Sequence, residues 1–145
     1  MVQITRQTEY AIRTLLELSR IPFGELLPTR SISKSQDIPE VFLTKTIRIL
    51  ALAGLVQTQR GSHGGVKLAI PGDQITIADV IKAVEGTLAL NVCLTGDYIC
   101  PNMDVCQVHR VLKRAQEAML SELNRDTLAD LVAAEKAGKK AGSSR

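Results

Sequence analysis

Residues 39–70 contain the feature that most limits how this chain can fold, an amphipathic helix followed directly by a glycine-tipped hairpin. Pro39 suits the first turn of a helix with the sequence EVFLTKTIRILALAG, and Gly54 suits its C-terminal cap. The strands LVQTQ and VKLAI then flank the turn RGSHGG, which is typical of a β-hairpin. We therefore expect this helix and hairpin to follow one another as a single unit.

Two further helices are predicted before this unit. A helical hydrophobic pattern runs from Thr5 to Arg20, and a loop with two prolines leads to a short helix from about Ser31 to Gln36. Three helices followed by a hairpin predict a winged helix-turn-helix. The predicted fold class is mainly α with a small β-hairpin, namely this winged domain plus a long C-terminal dimerisation helix.

The third helix and the hairpin tip are the predicted DNA contacts. Lys45 and Arg48 suit guanine or phosphate, and Glu40 could accept a hydrogen bond from cytosine. The wing would reach the neighbouring minor groove, although a surface hairpin with no partner is the alternative. The full predicted set is Glu40, Thr44, Lys45, Arg48, Arg60, Gly61, Ser62, His63, Gly64 and Gly65.

Charge and composition agree with a DNA-binding protein without requiring one. The net charge is +3 over 145 residues, with +4 in residues 1–70 and −1 in residues 71–145. A basic N-terminal half fits a polyanionic partner. No apolar run approaches the roughly 20 residues that span a bilayer, and the N-terminus is too polar for a signal peptide. We expect a cytoplasmic protein with no membrane partner.

The C-terminal half is predicted to connect and dimerise. The segment ITIADVIKAVEGT should form a helix ending at Gly86, and a long helix should run from about Asp104 to Asn124. That helix has an apolar seam suited to a partner helix, so we expect a homodimer and a roughly palindromic operator, with packing on its own domain as the alternative. The predicted divisions are 1–72 for the winged domain, 73–103 for the connecting helix and cysteine-rich loop, 104–134 for the dimerisation helix and a short last helix, and 135–145 for a disordered basic tail.

The cysteine-rich loop predicts a metal or cluster site. Cys93, Cys100 and Cys106 are the only cysteines of the chain, and His109 follows in the spacing Cys-x6-Cys-x5-Cys-x2-His. In a reducing compartment, clustered cysteines bind metal more often than they form disulfides. Three thiolates and an imidazole suit zinc or an iron–sulfur cluster, and the wide gaps favour the cluster.

Three alternatives follow from the same residues. The cysteines could bind a structural zinc ion, or they could act as a thiol redox switch without any cluster. An enzyme with Cys106 as nucleophile and His109 as base is disfavoured, because no third orienting group is evident.

Taken in order, these motifs resemble the IscR/NsrR family of bacterial transcription regulators. The resemblance rests on QTEYAIR, RGSHGGVKLA, TIADVIKAVEG, the three cysteines and the long helix, and it covers residues 1 to about 134. It implies a dimeric DNA-binding regulator whose cysteines hold an iron–sulfur cluster, with a 2Fe–2S cluster favoured over a 4Fe–4S cluster and zinc as the alternative. Members respond to cluster supply, iron, nitric oxide or redox state.

The resemblance offers two candidates for a fourth ligand. Members that regulate iron–sulfur biogenesis use a histidine three residues after the last cysteine, where His109 stands. The nitric-oxide sensors use a carboxylate on the first helix, where Glu9 stands. We favour His109 because it is local and softer, while Glu9 could simply pair with Arg13. The first gap of six residues departs from the common five, which leaves the cluster type open.

Overall fold

The computed structural model describes residues 3–143, which form six α-helices and one two-stranded sheet. Two short 3-10 helices lie at Gly72–Gln74 and Val92–Leu94. The predicted fold class is confirmed, since the first three helices and the hairpin occur in winged helix-turn-helix order. The elements are α1 (Arg6–Ser19), α2 (Thr29–Gln36), α3 (Glu40–Leu52), β1 (Val56–Gln59), β2 (Gly65–Leu68), α4 (Ile77–Glu85), α5 (Gln107–Leu123) and α6 (Leu128–Ser143).

Helix α3 ends in a glycine-dependent cap that leads the chain into the hairpin. Gly54 has φ +79°, in the left-handed region that glycine adopts at little cost. The Gly54 amide donates to the carbonyl of Ala51, and the Leu55 amide donates to the carbonyl of Leu50, both at 3.0 Å. This pair of hydrogen bonds is the Schellman arrangement. It directs Leu55 into the core at the point where β1 begins.

The hairpin is joined to the segment before α2. Strands β1 and β2 are antiparallel, with Gln59 opposite Gly65, and Leu27 forms a bridge on the other side of β2. The Leu27 and Val66 amides each donate to the other residue's carbonyl at 2.8 Å. A Cβ atom on Gly65 would lie 2.2 Å from the Leu27 carbonyl oxygen, so only glycine permits this approach. The chain's own backbone therefore requires Gly65, whatever the wing contacts.

One hydrophobic core is shared by α1, α2, α3, the hairpin, α4 and α6. Helix α1 lies at its centre and packs against α3, α4 and α6. Leu15, Leu43 and Leu50 are completely buried there. Leu128, from the beginning of α6, is equally buried and belongs to the same cluster. The last helix therefore completes the winged domain, although the predicted divisions had grouped it with the dimerisation helix.

Helix α6 is longer than the sequence analysis predicted. The prediction ended this helix near residue 134 and assigned 135–145 to a disordered tail, whereas the helix continues to Ser143; residues 144 and 145 lie outside the described residues. The alanines and lysines of this stretch favour helix strongly enough to continue past Gly138. Two hydrogen bonds of 3.0 Å from Arg20 to the Glu135 carboxylate hold α6 on α1, and they raise the pKa of Arg20.

Helices α4 and α6 begin with the same reciprocal cap. The Asp79 amide donates to the Thr76 hydroxyl, while the Thr76 amide donates to the Asp79 carboxylate. Thr127 and Asp130 repeat the pattern, and the two threonines face each other across an antiparallel bridge. Matching Thr-x-x-Asp signals thus begin both helices side by side.

Candidate nucleic-acid interface and cysteine-rich loop

The turn between α2 and α3 fixes the direction of the candidate recognition helix. Asp37 ends α2 in the left-handed region, with φ +52°, a conformation that Asp tolerates better than most residues. The next residue, Ile38, is buried, and Ser33 donates its hydroxyl hydrogen to the Ile38 carbonyl at 2.6 Å. Asp37 was not predicted as a turn residue, although an Asp between a short helix and a proline is a recognised turn signal.

The four residues predicted on the outer face of α3 are all exposed. The Glu40 carboxylate lies 3.6 Å from the guanidinium of Arg30 on α2, an ion pair open to solvent. Thr44 donates its hydroxyl hydrogen to the Glu40 carbonyl at 2.8 Å. Lys45 and Arg48 are exposed on the same side, and neither forms an ion pair within the described part of the chain. Arg30, which was not among the predicted contacts, adds a third cation to this surface.

At the wing, the structure divides the predicted contacts into two groups. Residues 60–63 are exposed at the tip, where Gly61 has φ +110°. Gly64 and Gly65 are half-buried instead, and a Cβ atom on Gly64 would lie 2.0 Å from the Gln59 carbonyl oxygen. The tip can therefore face a ligand directly, while the two following glycines let the hairpin close.

Glu9 lies in an ion-pair network on α1. Its carboxylate is 3.9 Å from the guanidinium of Arg6 and 3.7 Å from that of Arg13. Arg13 also donates to the carbonyl of Gln36 at the end of α2 and lies over the Tyr10 ring. The pairing with Arg13 that the sequence left open is present, and within one protomer Glu9 is engaged by cations rather than by the cysteine-rich loop.

The cysteine-rich loop brings some of its four predicted ligands together. The Cys93 sulfur lies 3.3 Å from Nδ1 of His109, and the Cys106 sulfur accepts from the His109 amide at 3.4 Å. Cys106 is the N-cap of α5, so both contacts occur at the start of that helix. Cys100 is partly buried in the same loop, and all three cysteines are free thiols.

The donor chemistry fits a thiolate-bound metal or cluster, but the ligands are not gathered around one point. Among residues 3–138, no group of three or more His, Cys, Asp or Glu side chains is close enough to bind a metal ion. Thiolate sulfur and imidazole nitrogen are nevertheless the atoms that zinc and iron–sulfur clusters require. Only Cys93 and His109 are in side-chain contact, since the Cys106 sulfur meets the backbone amide of His109, so the four residues would have to rearrange to surround one metal or cluster.

The same geometry disfavours catalysis by a Cys106–His109 pair. The imidazole of His109 faces Cys93, and only the backbone amide of His109 reaches the Cys106 sulfur. A catalytic base must be able to take the proton of its nucleophile, and this imidazole is directed at a different thiol.

Beyond the loop, α5 carries an apolar surface that its own protomer leaves uncovered. No residue of α5 is buried, and Val108 is 65% exposed. Val111 is also exposed on this helix, while Leu112 and Met119 are half-buried; Val105 is exposed in the turn before α5, which begins at Gln107 rather than near Asp104. Near its middle, Gln116 accepts a hydrogen bond from the Leu90 amide at 2.9 Å, which ties the loop to the helix.

None of the helices in the described part of the chain has both the length and the hydropathy needed to cross a bilayer.

One family model and two known relatives each match most of this chain. The family model described as Rrf2, an iron-dependent transcriptional regulator, matches residues 4–134. Protein aau3 of Rhizobium meliloti is 37% identical over 141 residues, covering 92% of this chain and 86% of the relative. Protein rrf2 of Nitratidesulfovibrio vulgaris is 33% identical over 131 residues, covering 90% and 87% respectively.

Two solved structures share the fold over most of their length. CymR, described as the global cysteine regulator of B. subtilis, superposes with a TM-score of 0.69 at 26% identity, covering 92% of this chain and 98% of CymR. IscR of T. potens superposes with a TM-score of 0.72 at 24% identity, covering 92% and 88%.

Proposed function

The chain belongs to the Rrf2 family of transcriptional regulators, and we propose that it is a dimeric, sequence-specific regulator that senses iron–sulfur cluster, iron, redox or nitric oxide status through a cysteine-ligated cluster. As a member of this family it is a DNA-binding regulator and not an enzyme. The dimer, the cluster and the action in the cytoplasm are the parts that we propose.

The observation that carries the sensor proposal is the position of the Cys93–His109 contact. The two side chains meet, 3.3 Å apart, at the first turn of α5. This helix also has the uncovered apolar seam, so the candidate ligands lie directly beside the proposed dimer interface. A change in how the loop is held can therefore alter the position of the interface without a long route through the protein.

In the loaded protein, Cys93, Cys100 and Cys106 would hold the cluster and His109 would be the fourth ligand, with Glu9 as the alternative. A 2Fe–2S cluster is favoured over a 4Fe–4S cluster, and the cluster would supply a centre that is sensitive to oxidants, nitric oxide and iron supply. Glu9 is the weaker choice because Arg6 and Arg13 already bind its carboxylate within the protomer. An acidic side chain between two cations loses those ion pairs when it becomes a ligand.

The second candidate is a regulator with structural zinc or a thiol switch without a cluster. The observation in its favour is that only Cys93 and His109 are in side-chain contact, while the described part of the chain gathers no group of three possible metal ligands. Half-buried thiols next to an imidazole can be oxidised without any metal. The two candidates share the fold and the DNA interface, and they differ in what the cysteines hold.

On DNA, α3 would enter the major groove and the wing tip would reach the adjacent minor groove. Thr44, Lys45 and Arg48 would contact bases and phosphates, while Glu40 would accept from cytosine or exclude a site by its charge. At the tip, Arg60, Ser62 and His63 are exposed and suited to phosphate or the groove floor. Pairing through α5 would set the half-site spacing, so the operator should be roughly palindromic.

Regulation would depend on whether the cysteine-rich loop is fixed in place or released. When the loop is fixed against the start of α5, the two winged domains are held at one separation; when it is released, that separation changes. A coupling free energy of about 1–3 kcal/mol is enough to change operator occupancy from several-fold to about a hundredfold.

The decisive test is metal and sulfide analysis of protein purified without oxygen, together with its absorption spectrum. We expect iron and sulfide in matched amounts and visible bands, which Cys93→Ser, Cys100→Ser and Cys106→Ser each abolish. His109→Ala should alter the spectrum or make the bands more sensitive to air, while His63→Ala, at the wing tip, provides the matched histidine control. One zinc ion per chain, or three free thiols without metal, would favour the second candidate.

The DNA half of the proposal is tested separately, with operator DNA selected from a random duplex pool. Arg48→Ala should weaken operator binding by about 1–3 kcal/mol, or roughly fivefold to 150-fold. Arg125→Ala removes an exposed arginine at the far end of α5 and should leave affinity unchanged. Equal affinity of the two variants would remove Arg48 from the interface.

A further inference from the structure

At the N-terminal end of α3's outer face, an apolar side chain lies among charged and polar residues, and packing on the protein's own core does not explain it. Val41 is 78% exposed in the first turn of the helix. The inward face of α3 consists of Leu43, Thr46, Ile47 and Leu50, all buried, and Val41 points away from them. The exposed branched side chain adds nothing to the core and slightly disfavours helix.

Helical geometry places Val41 in one row with the proposed DNA contacts. Thr44 and Lys45 follow at three and four residues, and Arg48 follows at seven, so the four side chains lie along the same face. The N-terminal residues of a recognition helix are those that meet base edges in the major groove. Val41 is therefore the apolar residue at the N-terminal end of this row, next to residues that suit bases and phosphates.

We infer that Val41 reads the C5-methyl group of a thymine in each operator half-site. This inference rests on the proposed DNA-binding role of α3 and adds a specificity determinant to it. The thymine methyl is the apolar group that the major groove presents, and apolar side chains recognise it by contact. Placing Val41 against it removes the exposed methyl groups of both partners from water.

The surroundings of Val41 favour DNA over another protein or a second copy of this chain. Lys45 and Arg48 extend along the row, and Arg30 stands across the turn on α2. A second copy would bring the same three cations against this surface, whereas a polyanion complements them. The neighbouring Phe42 has a different role, because its ring lies 6.4 Å from the ring of Tyr10 and lines a cleft toward α1.

The test replaces thymine by deoxyuridine, which deletes the methyl group and keeps every hydrogen-bonding group. Duplexes enriched by the protein from a random pool are resynthesised with one thymine changed at a time in both half-sites. We expect one position at which wild-type protein loses about fourfold in affinity per half-site, the value of one buried methyl group. Val41→Ala should bind the thymine duplex more weakly and lose most of its sensitivity to deoxyuridine at that position.

Leu52→Ala is the matched control, because Leu52 is 85% exposed on α3 but lies at the opposite end of the helix. This variant should keep the full deoxyuridine effect, and circular dichroism would confirm that both variants are folded. If wild-type and Val41→Ala protein respond equally at every position, the assignment of Val41 is wrong while the DNA-binding role stands. If no sequence is enriched from the pool, the DNA-reading role of α3 fails and Val41 has no base to read.

Discussion

The winged domain and the segment from residue 87 to 123 differ in how far their apolar side chains are buried. In the winged domain, Leu15, Leu43 and Leu50 are completely buried by their own protomer. Between residues 87 and 123 no side chain is buried, and Ile99 and Val105 are among the most exposed apolar residues. The first region has a buried core within one chain, whereas the second has no buried side chain of its own and leaves an apolar surface on α5 exposed.

Because of this difference, we expect the winged domain to provide stability and residues 87–123 to provide the conformational response. A region with its own core keeps one conformation, because any rearrangement exposes close-packed side chains. A region without buried side chains has a low free energy of local opening, and elements that move during regulation come from such regions. The chain thus places its proposed ligands in the part of the molecule whose conformation is least determined by its own packing.

The largest expected effect is a loss of stability in the winged domain. Leu50→Ala should lower the free energy of unfolding by about 3 kcal/mol, because it leaves a cavity at a completely buried position. Leu52→Ala, two residues away but exposed, should change it by less than about 0.5 kcal/mol. Urea unfolding followed by circular dichroism measures both, and similar losses would show that burial on α3 is not what stabilises the domain.

The next effect concerns the uncovered seam of the second region. Val108→Lys should weaken self-association about a hundredfold, or about 2.7 kcal/mol, because it places a charge in an apolar contact. Ser121→Lys adds the same charge on the opposite side of α5 and should leave association intact. Sedimentation equilibrium measures both variants, and an unchanged dimer in Val108→Lys would move the interface elsewhere.

Two glycines, one in each region, allow the tightness of packing in the two regions to be compared directly. Gly65→Ala should cost about 2 kcal/mol of unfolding free energy, because the new methyl group would meet the Leu27 carbonyl oxygen at 2.2 Å. Gly96, in the cysteine-rich loop, also has a positive φ but has open space around it, so Gly96→Ala should cost about 1 kcal/mol or less. Thermal unfolding would measure the two, and the reverse order would contradict the assignment of the tighter packing to the wing.

The smallest expected effect concerns the hydrogen bond that joins the loop to α5. Gln116→Ala removes the hydrogen bond from the Leu90 amide and should lower local stability by about 1 kcal/mol. Hydrogen exchange should show faster exchange at Leu90 and no change at Leu55, whose amide is bound within the winged domain. Gln107→Ala, at an exposed position on the same helix, should leave both rates as they are.

Much of the fold could be predicted because its signals are local. The apolar periodicity of α1 and α3, the cap at Gly54 and the turn RGSHGG depend on neighbouring residues, and those elements were predicted to within a few residues. The bridge between Leu27 and Val66 could not be predicted, because it joins distant segments through backbone atoms that carry no side-chain signal. The length of α6 was missed since the basic composition and Gly138 suggested a tail, while helix propensity and its anchor at Glu135 decided otherwise.

The candidate site was predicted less completely, for a different reason. Spacing along the chain indicated that Cys93, Cys100, Cys106 and His109 belong together, and the structure brings Cys93 and His109 into contact. Which ring atom faces which sulfur depends on how α5 begins, and Cys106 determines this by acting as its N-cap. The placement of Cys100 depends on a loop with little packing, for which sequence patterns give no geometry.

The bridge from Leu27 to Val66 has a consequence for the rate and entropy of DNA association. Because β2 is hydrogen-bonded on both sides, the wing is fixed relative to α2 before any DNA arrives. The conformational entropy of ordering the base of the hairpin is therefore lost during folding and does not weaken binding later. We expect the winged domain to meet its operator as a rigid shape, so that regulation changes how two such shapes are spaced rather than what either one reads.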